Sequence, residues 1–486
     1  MGKLTFKTKL GYGMGDIYGG GATTIISMYY LYFLTDVLRI SPVLAGTAFL
    51  ISKIWDAVTD PFMGIITDNT RTRFGRRRPY FLAGVILIFV SFALMWLPVP
   101  FQKEGIKFLY VIIAYLFFST VYTIVMVPYN SIAAELTNDY DERTKLSTYR
   151  MIFSNLSGIL AGTLAKDIFV DMLYPDDQAT GFFVMSIVFG LLFALPYIGT
   201  FFFCKEPPEA MIAPKRKIGN IKEFAFNYIA EPLKLRAFRF VVFMYLFGFM
   251  AQDAMMAMAI YFLTYCLGIS SMMTLLLPIY GFMLIAIPLV ELVAKKLGKR
   301  KTYMVACVLW VISFSMVPFL DKENTVLIYV FGALFGAAAA GIQVMVFALF
   351  PDIPDADELY SGERREGLYS GIFSFIRKAG GAITMFFVGN SIQWAGYKPP
   401  LLSEINGVLK SIPQQQTSEF QTTLTFLFIM IPCSFIFIAF ISCYKYPLTK
   451  SCHDRLKIVL EKRRGGETLS PEITREEQEI KAILEG

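Results

Sequence analysis

The sequence predicts an all-α membrane protein with 12 transmembrane helices, arranged as two six-helix bundles. Composition, the number of long apolar runs and the placement of basic loops predict this class. Of the 486 residues, 55% are hydrophobic and 17% are charged, whereas ordinary soluble proteins carry about 25% charged residues. A soluble domain of this size needs a more polar surface, so we expect the outer surface of this chain to face lipid.

The predicted spans are runs of about 20 mostly apolar residues, the length at which a helix crosses a bilayer. The first run is dense in glycine, which permits close helix approach, and the fourth contains the helix-bending residue Pro128. The runs cover residues 11–37, 43–67, 79–99, 106–135, 146–170, 181–203, 237–267, 272–294, 302–319, 326–350, 367–395 and 421–445.

Basic residues are concentrated in every second loop. They occur at 71–78 after the second run, at 295–301 after the eighth run, and in the long link after the sixth. Cytoplasmic loops of membrane proteins carry an excess of Lys and Arg. The pattern therefore predicts that both termini are cytoplasmic in a multi-pass protein of the cell's inner (plasma) membrane.

The long link divides the chain into two halves, and a basic loop follows the second span of each half, which is weak internal symmetry. This organisation suggests the major facilitator architecture. The charged, amphipathic tail is expected to form a cytosolic helix or to be disordered. The predicted domains are an N-terminal bundle at 1–203, a cytoplasmic link at 204–236, a C-terminal bundle at 237–446 and a cytoplasmic tail at 447–486.

Several other classes of protein are excluded by the same sequence. The net charge of +7 lies in short loops, so nucleic-acid binding is not expected. The six cysteines have no paired spacing, and the single histidine, His453, lies in the polar tail, so neither a disulfide framework nor a zinc site is indicated. Because no nucleophile elbow or phosphate-binding loop occurs in a supporting context, we expect no enzyme activity and no cofactor.

The second span contains two carboxylates, Asp56 and Asp60, which lie four residues apart and share one helix face, with Thr59 beside them. A charge at the centre of a membrane helix costs roughly 2.5–3.5 kcal/mol on insertion scales. Two such carboxylates need a proton, a cation or a basic side chain to neutralise them. Oxygen ligands suit a hard cation such as sodium, and the alternative is a structural ion pair between helices.

Lys378 in the eleventh span is the predicted positive partner of this acid pair, and a cation that binds the carboxylates would compete with it. The alternative for Lys378 is snorkelling toward the interface. Asp16 is equally compatible with a functional role and with a structural one, as a helix cap or as the partner of a cytosolic base. Arg150 is compatible with a structural pairing to Asp16 or Asp352. The other polar groups inside predicted spans are Tyr18, Thr123, Asn130, Tyr149, Gln252 and Gln343.

The stretch 54–61, Ile-Trp-Asp-Ala-Val-Thr-Asp-Pro, resembles the second-helix signature of the glycoside–pentoside–hexuronide cation symporters of the major facilitator superfamily, a family that includes the melibiose permease. The resemblance continues to about residue 447. Further matching motifs lie at 12–16, 35–37, 71–75, 127–129, 142–143, 149–150 and 363–367.

This resemblance implies cation-coupled symport by alternating access. It implies a cation site for sodium or a proton at Asp56, Thr59, Asp60 and Thr123. It also implies substrate-binding or coupling roles for Arg150 and Lys378, and we expect the substrate near the midplane. The residues predicted to bind substrate or couple it to the cation are Asp16, Tyr18, Asn130, Tyr149, Arg150, Gln252, Gln343 and Lys378.

The family's sugar-binding positions differ in this chain. Where the resemblance places a lysine, carboxylates and tryptophans, this sequence has Gly19, Gly20, Met126, Asn130 and Gln343. A less polar and roomier pocket is therefore expected.

The predicted substrate is a sugar, glycoside or uronide, imported by a protein that acts as a monomer in the lipid bilayer. The first alternative is a lysolipid-like or organic-anion substrate, since the related animal lysolipid symporters share the second-helix acids. The second is an uncoupled carrier or sensor with structural ion pairs.

Overall fold

The computed structural model is predominantly helical, as predicted. Outside the helices it has a short antiparallel hairpin, in which β1 (Leu401–Ile405) pairs with β2 (Val408–Ile412). The hairpin was not predicted. Residues 363–365 of one family motif and most of the central link lie outside the described residues. The structure describes residues 4–137, 140–206, 232–269, 271, 273–350, 352–361, 366–405, 408–412, 414–464 and 471–485.

The helices of the first half occupy all six predicted spans. Wide π-helical turns extend α1 at Ile26–Tyr30 and Phe33–Val37, and extend α5 at Asp167–Met172. The sixth span consists of two consecutive helices, because Pro196 begins the second one. The helices are α1 (Phe6–Ile25), α2 (Pro42–Asn69), α3 (Arg78–Met95), α4 (Glu104–Leu136), α5 (Tyr140–Lys166), α6 (Gln178–Ala194) and α7 (Pro196–Phe203).

The second half likewise forms a helix at each predicted span. A short 3-10 turn, Pro232–Lys234, precedes it, and the π-helical turn Phe262–Leu267 extends its first helix. The helices are α8 (Arg236–Tyr261), α9 (Met273–Leu297), α10 (Lys299–Phe314, followed by a 3-10 turn at Val317–Phe319), α11 (Thr325–Leu349), α12 (Asp352–Ser361), α13 (Glu366–Trp394), α14 (Ser418–Tyr444), α15 (Lys450–Arg464) and α16 (Pro471–Glu485).

Among the described residues, eight segments are long and apolar enough to cross a membrane by length and composition alone. The four remaining predicted spans, α1, α2, α5 and α13, also form helices but carry more charge. Those four helices hold the acidic and basic residues singled out from the sequence. The eight are Arg78–Met95, Glu104–Ala133, Gln178–Phe203, Arg236–Leu267, Met273–Leu297, Lys299–Phe319, Thr325–Leu349 and Ser418–Tyr444.

Close packing of α1 against α5 depends on glycine, as the first span predicts. A Cβ added at Gly20 would lie 2.2 Å from the carbonyl oxygen of Ser154 on α5. That distance is not sterically possible, so only glycine allows this approach. The hydroxyl of Ser157 donates to the carbonyl of Ile17 at 2.8 Å and adds a polar tie between the helices.

The chain forms two compact units whose limits differ from the predicted domain boundaries. The first unit comprises residues 1–218, 256–276 and 385–424, and the second comprises 219–255, 277–384 and 425–486. Segments 256–276 and 385–424 join the first unit because they pack against the ends of α1, α2 and α5. The predicted division near residues 204–236 remains a prediction.

The tail of the second unit forms two helices that pack on α12. Arg455 of α15 pairs with Glu476 at 2.8 Å and with Glu479 at 2.9 Å, both on α16. The hydroxyl of Tyr360 on α12 donates to the carbonyl of Lys481 at 2.8 Å. His453, near the start of α15, lies 3.5 Å from Asp355. The helical alternative for the tail is therefore the observed one.

Near the start of α5, the buried carboxylate of Glu142 is tied to the N-terminal segment. Lys9 and Lys145 donate to it at 2.8 and 2.9 Å, and the backbone N–H of Leu4 donates at 3.1 Å. Hydrogen bonds from Lys9 and then Lys145 hold the pKa of Glu142 at about 2, below its ordinary value of 4.5. The ionised carboxylate is therefore the form that stabilises this contact.

The variant Glu142→Gln is expected to have a Tm a few degrees below that of the native chain at neutral pH. Since the folded-state pKa lies below the unfolded one, the contribution is complete above pH 4.5 and is lost as pH falls toward 2. Thermal unfolding at a series of pH values should show a difference in Tm between the native chain and the variant that narrows below pH 4.5. Glu323→Gln in an exposed loop is the control, and a difference independent of pH would contradict the prediction.

Candidate transport site

The two acids of α2 face α4, and polar contacts along both helices fix their positions. Thr123 donates its hydroxyl to Oδ1 of Asp60 at 2.7 Å. Two further links, Ser52 to Ser119 at 2.6 Å and Trp55 Nε1 to the Thr120 hydroxyl at 2.9 Å, join the same helices. The structure thus brings together Asp60 and Thr123, as predicted, in one layer between α2 and α4.

Lys53 provides a positive charge beside this pair. Its Nζ lies 2.8 Å from Oδ2 of Asp56, one turn along α2. The Asp56 side chain is 1% exposed, whereas that of Lys53 is 28% exposed. A charged pair inside a membrane helix is far less costly than an isolated carboxylate, so Lys53 supplies part of the neutralisation that the sequence requires.

The second oxygen of Asp56 has no such partner. Its Oδ1 is buried and makes no hydrogen bond within the described part of the chain. Lys53, Asp56 and Asp60 lie on this face of α2, and Lys53 pairs with one oxygen of Asp56. A carboxylate oxygen without a donor, beside a second carboxylate and a hydroxyl, can coordinate a hard monovalent cation or take up a proton. No cluster of three or more His, Cys, Asp or Glu suited to a metal occurs among the described residues.

Thr59 differs from its predicted place. Its hydroxyl donates to the carbonyl of Trp55 in its own helix at 3.0 Å, and not to either acid. A threonine in a helix commonly bonds back to the carbonyl four residues earlier. The assignment of Thr59 as a cation ligand therefore remains a prediction without a supporting contact. Of the two threonines, Thr123 is the one whose hydroxyl contacts one of the acids among the described residues.

A second ionic pair lies between α1 and α5. Arg150 Nε lies 3.1 Å from Oδ2 of Asp16, whose side chain is 7% exposed. The guanidinium also lies over the ring of Tyr129, 5.4 Å from its centroid. Of the pairings left open by the sequence, Asp16 with Arg150 is the observed one. Oδ1 of Asp16 is buried without a hydrogen bond among the described residues.

Two tyrosines connect these two charged sites. The rings of Tyr18 and Tyr122 lie 5.3 Å apart, and Tyr18 is completely buried. The hydroxyl of Tyr18 is a further buried group with no hydrogen bond in the described chain. Tyr122 lies close enough to both sites for the charges of Asp16, Arg150, Asp56 and Asp60 to act on its hydroxyl. The ring pair of Tyr18 and Tyr122 therefore lies near both charged sites of the first unit.

The second unit contains a comparable ionic pair between α8 and α13. Arg377 is bidentate to Asp253, with Nη1 to Oδ2 at 2.5 Å and Nη2 to Oδ1 at 2.8 Å. The guanidinium also lies 4.8 Å from the centroid of the Phe249 ring. Asp253 is enclosed at 12% exposure, and Arg377 remains 35% exposed. Each unit thus places one Arg–Asp pair inside helices that are predicted to span the membrane.

The other predicted residues are less closely engaged. Asn130 is exposed at the end of α4, and Tyr149 is half-buried with its ring against Phe6. Gln252, Gln343 and Lys378 are half-buried. Because Lys378 belongs to the second unit, its predicted pairing with the acids of α2 stays a prediction.

The roomier pocket remains a prediction, and the space beside two of its five positions is occupied by neighbouring atoms. A Cβ added at Gly19 would lie 2.4 Å from Oδ1 of Asp16 and 2.9 Å from Cε of Met126. The backbone of Ser154 occupies the corresponding space beside Gly20. The packing of α1 on α5 therefore leaves no room for a side chain at Gly20.

The sequence predictions missed Lys53 and Arg377 as charged partners. Lys53 precedes Asp56 by three residues, a spacing that places both on one helix face, so the sequence held that signal. Arg377 adjoins Lys378, but only the packing of α13 on α8 reveals that it faces Asp253.

The variant Lys53→Gln is expected to raise the apparent affinity for the coupling cation about tenfold, equal to 1.4 kcal/mol. The reason is that Lys53 competes with the cation for Asp56 across 2.8 Å. Sodium titration of the purified protein, followed by thermal shift at fixed pH and repeated as a pH titration without sodium, measures this. Lys103→Gln, which removes an exposed lysine, is the matched control, and an unchanged midpoint in Lys53→Gln would contradict the competition.

Comparison with known proteins agrees with this architecture. A model of the MFS/sugar transport protein family matches residues 11–450. The chain is 30% identical to the uncharacterized symporter YjmB of Bacillus subtilis (strain 168), over 93% of this chain and 95% of the relative. It is 27% identical to the putative glycoside/cation symporter YagG of Escherichia coli (strain K12), over 96% and 97%.

A crystal structure of a variant of the nucleoside transporter NupG superposes with a TM-score of 0.62 at 14% identity, covering 90% of this chain and 99% of that one. This likeness shows the fold. The family match extends over nearly the whole chain and covers the helices that carry both ionic sites of the first unit. The chain belongs to the MFS/sugar transport protein family, which identifies it as a multi-pass membrane transporter of the major facilitator superfamily.

Proposed function

We propose that this transporter is a symporter that couples the downhill entry of sodium or a proton to the import of a sugar-type substrate. The observation that carries the proposal is the group formed by Asp56, Asp60, Lys53 and Thr123, in which two carboxylates share one helix face and a buried oxygen of Asp56 has no donor among the described residues. The similarity to a putative glycoside/cation symporter over nearly the full chain supports the same assignment. The coupling ion is itself a transported substrate and needs no resident cofactor.

In this mechanism the cation binds at Asp56 and Asp60 and neutralises carboxylate charge. An uncompensated charge is costly when helices close around it, so cation binding favours closure of the loaded carrier. The ring pair of Tyr18 and Tyr122 lies near both charged sites and offers a route by which cation binding influences Arg150. We propose that Arg150 contacts the substrate, because a guanidinium held by one carboxylate retains donors for hydroxyl or carboxylate oxygens.

Transport into proteoliposomes tests the proposal. Uptake of radiolabelled methyl β-glucoside and methyl β-glucuronide is measured under a sodium gradient, a proton gradient and no gradient. Saturable uptake that depends on one of the two gradients supports symport, and preference between the two glycosides reports whether the substrate carries a carboxylate. Equal uptake with and without both gradients would establish an uncoupled carrier instead.

The lysolipid-like alternative is weakened at one place in the fold. Two of the five positions that differ from the family's sugar-binding pattern, Gly19 and Gly20, have neighbouring atoms where a Cβ would lie and offer no open volume for an acyl chain. Displacement of glycoside uptake by a short-chain lysolipid, in the same vesicles, decides between the two substrate classes.

A further inference from the structure

Asp36, at the end of the first span farthest from the chain's N-terminus, is a buried carboxylate surrounded by hydroxyl groups. Its side chain accepts a hydrogen bond from Thr35 at 2.7 Å and another from the hydroxyl of Tyr265. Thr35 in turn shares a 2.6 Å hydrogen bond with Tyr261. Asp36 is 2% exposed, and Thr35 and Tyr261 are completely buried. These residues, together with Tyr397, are called the Asp36 cluster below.

The partners of Asp36 come from the continuation of α8 and the segment after α13. The ring of Tyr397 packs against Tyr261 and Tyr265, with centroid distances of 6.0 and 5.9 Å. The side chain of Gln421 donates to the backbone carbonyl of Tyr265 at 2.8 Å and anchors that turn to the start of α14. Tyrosines from two chain segments therefore enclose a carboxylate of a third.

Two further contacts in the first unit join the same parts of the chain. The hydroxyl of Ser271 donates to Asp167, at the end of α5, at 2.5 Å. A Cβ added at Gly389 would lie 2.4 Å from the carbonyl oxygen of Pro42, so α13 meets the start of α2 backbone to backbone. Segments 256–276 and 385–424 are thus held to the ends of α1, α2 and α5 by short polar or glycine contacts.

The contact residues lie in unusual turns. Asp36, Asp167 and Tyr265 each occur in a π-helical turn, at Phe33–Val37, Asp167–Met172 and Phe262–Leu267. Such wide turns are rare and are found frequently at functional sites. Hydroxyl–carboxylate bonds are also well suited to a contact that reopens, since water can replace them when they separate. A permanent structural joint of this kind would more commonly be apolar.

We propose that the Asp36 cluster is a latch that closes one end of the transporter and must break in each transport cycle. The inference rests on the proposed alternating-access symport. Tyr265 and Tyr397 continue α8 and α13, two helices that begin in the second unit. If the bundles rock, those segments leave the first unit, and the Asp36 carboxylate loses its donors to water. With both termini cytoplasmic, the latched end is the external one.

The test uses Cys266, a half-buried native thiol beside Tyr265, as the reporter. Right-side-out vesicles are treated with a membrane-impermeant maleimide, and the rate of Cys266 modification is followed by peptide mass spectrometry. Tyr265→Phe and Asp36→Asn are expected to raise this rate about tenfold, the effect of weakening closure by 1.4 kcal/mol. Both variants should also lower the substrate KM for external uptake, since the open state is populated before substrate binds.

Tyr110→Phe is the matched control, because the hydroxyl of Tyr110 donates only to the carbonyl of Leu94, within the first unit, at 2.7 Å. An unchanged Cys266 rate in Tyr265→Phe would overturn the latch, and so would an equal increase in Tyr110→Phe. Tyr265→Phe keeps the test decisive if Asp36→Asn does not fold. The labelling needs no substrate and therefore tests the latch alone. Symport is tested separately, and it would be refuted if uptake by the native chain did not depend on either gradient.

Discussion

Replacement of Asp60 by asparagine is expected to abolish cation-driven uptake, lowering it about 100-fold or more, equivalent to about 2.7 kcal/mol. Asparagine keeps the volume of the side chain and an oxygen that can accept a hydrogen bond from the Thr123 hydroxyl. The α2–α4 contact at 2.7 Å should therefore survive. The change removes one negative charge. The variant lacks one proposed cation ligand, and Lys53 still pairs with Asp56, so the site no longer attracts a monovalent cation.

The measurement is gradient-driven uptake in proteoliposomes, with sodium binding or proton binding followed in parallel on the purified variant. Asp321→Asn, in an exposed loop, is the control for loss of a carboxylate elsewhere. The double variant Lys53→Gln with Asp60→Asn frees the Asp56 carboxylate from Lys53 and is expected to recover measurable cation binding. Full gradient-dependent uptake by Asp60→Asn would refute the cation site.

The second large effect concerns the pair of Asp253 and Arg377. Either Asp253→Asn or Arg377→Gln is expected to destabilise the protein by about 3 kcal/mol, because each leaves one charge without its partner inside the membrane. This is the lower end of the range of about 3–5 kcal/mol for buried pairs, since Arg377 retains 35% exposure. Equilibrium unfolding in mixed SDS–detergent micelles measures the change.

The double variant Asp253→Asn with Arg377→Gln removes both charges and should recover most of the lost stability. Its uptake then separates two roles for the pair. A stable double variant without uptake shows that the pair acts in transport, and one with full uptake shows that it only holds α8 to α13. A loss of stability in the double variant equal to the sum of the two single losses would contradict the pairing. Lys295→Gln is the control, because it breaks the exposed ion pair of Lys295 with Glu291 and should change stability little.

The fold class was predictable because the bilayer imposes simple rules on sequence. A helix that satisfies its own backbone needs about 20 apolar residues to cross, and all twelve runs of that length became helices. The same rules mark intramembrane charge as unusual, which singled out Asp56, Asp60 and Arg150. Thr123 was identified through family resemblance, and the structure places it on Asp60.

Other features depended on contacts between residues far apart in the chain. The sequence left Arg150 two acidic partners, and the close α1–α5 packing selects Asp16. It suggested open volume at Gly19, where the tertiary structure places Asp16 and Met126. Tyr265 had no distinguishing sequence signal, since only the packing of its π-helical turn on α1 places its hydroxyl at Asp36.

The sequence by itself determined that this protein is a helical membrane transporter with an acidic pair in its second span, since hydropathy and charge act locally along a helix. The tertiary structure decided which charges neutralise one another. It paired Lys53 with Asp56, Arg150 with Asp16 and Arg377 with Asp253. The physical reason is that the cost of a charge in a membrane depends on the few ångströms to its nearest partner, a distance that only helix packing sets for residues on different helices.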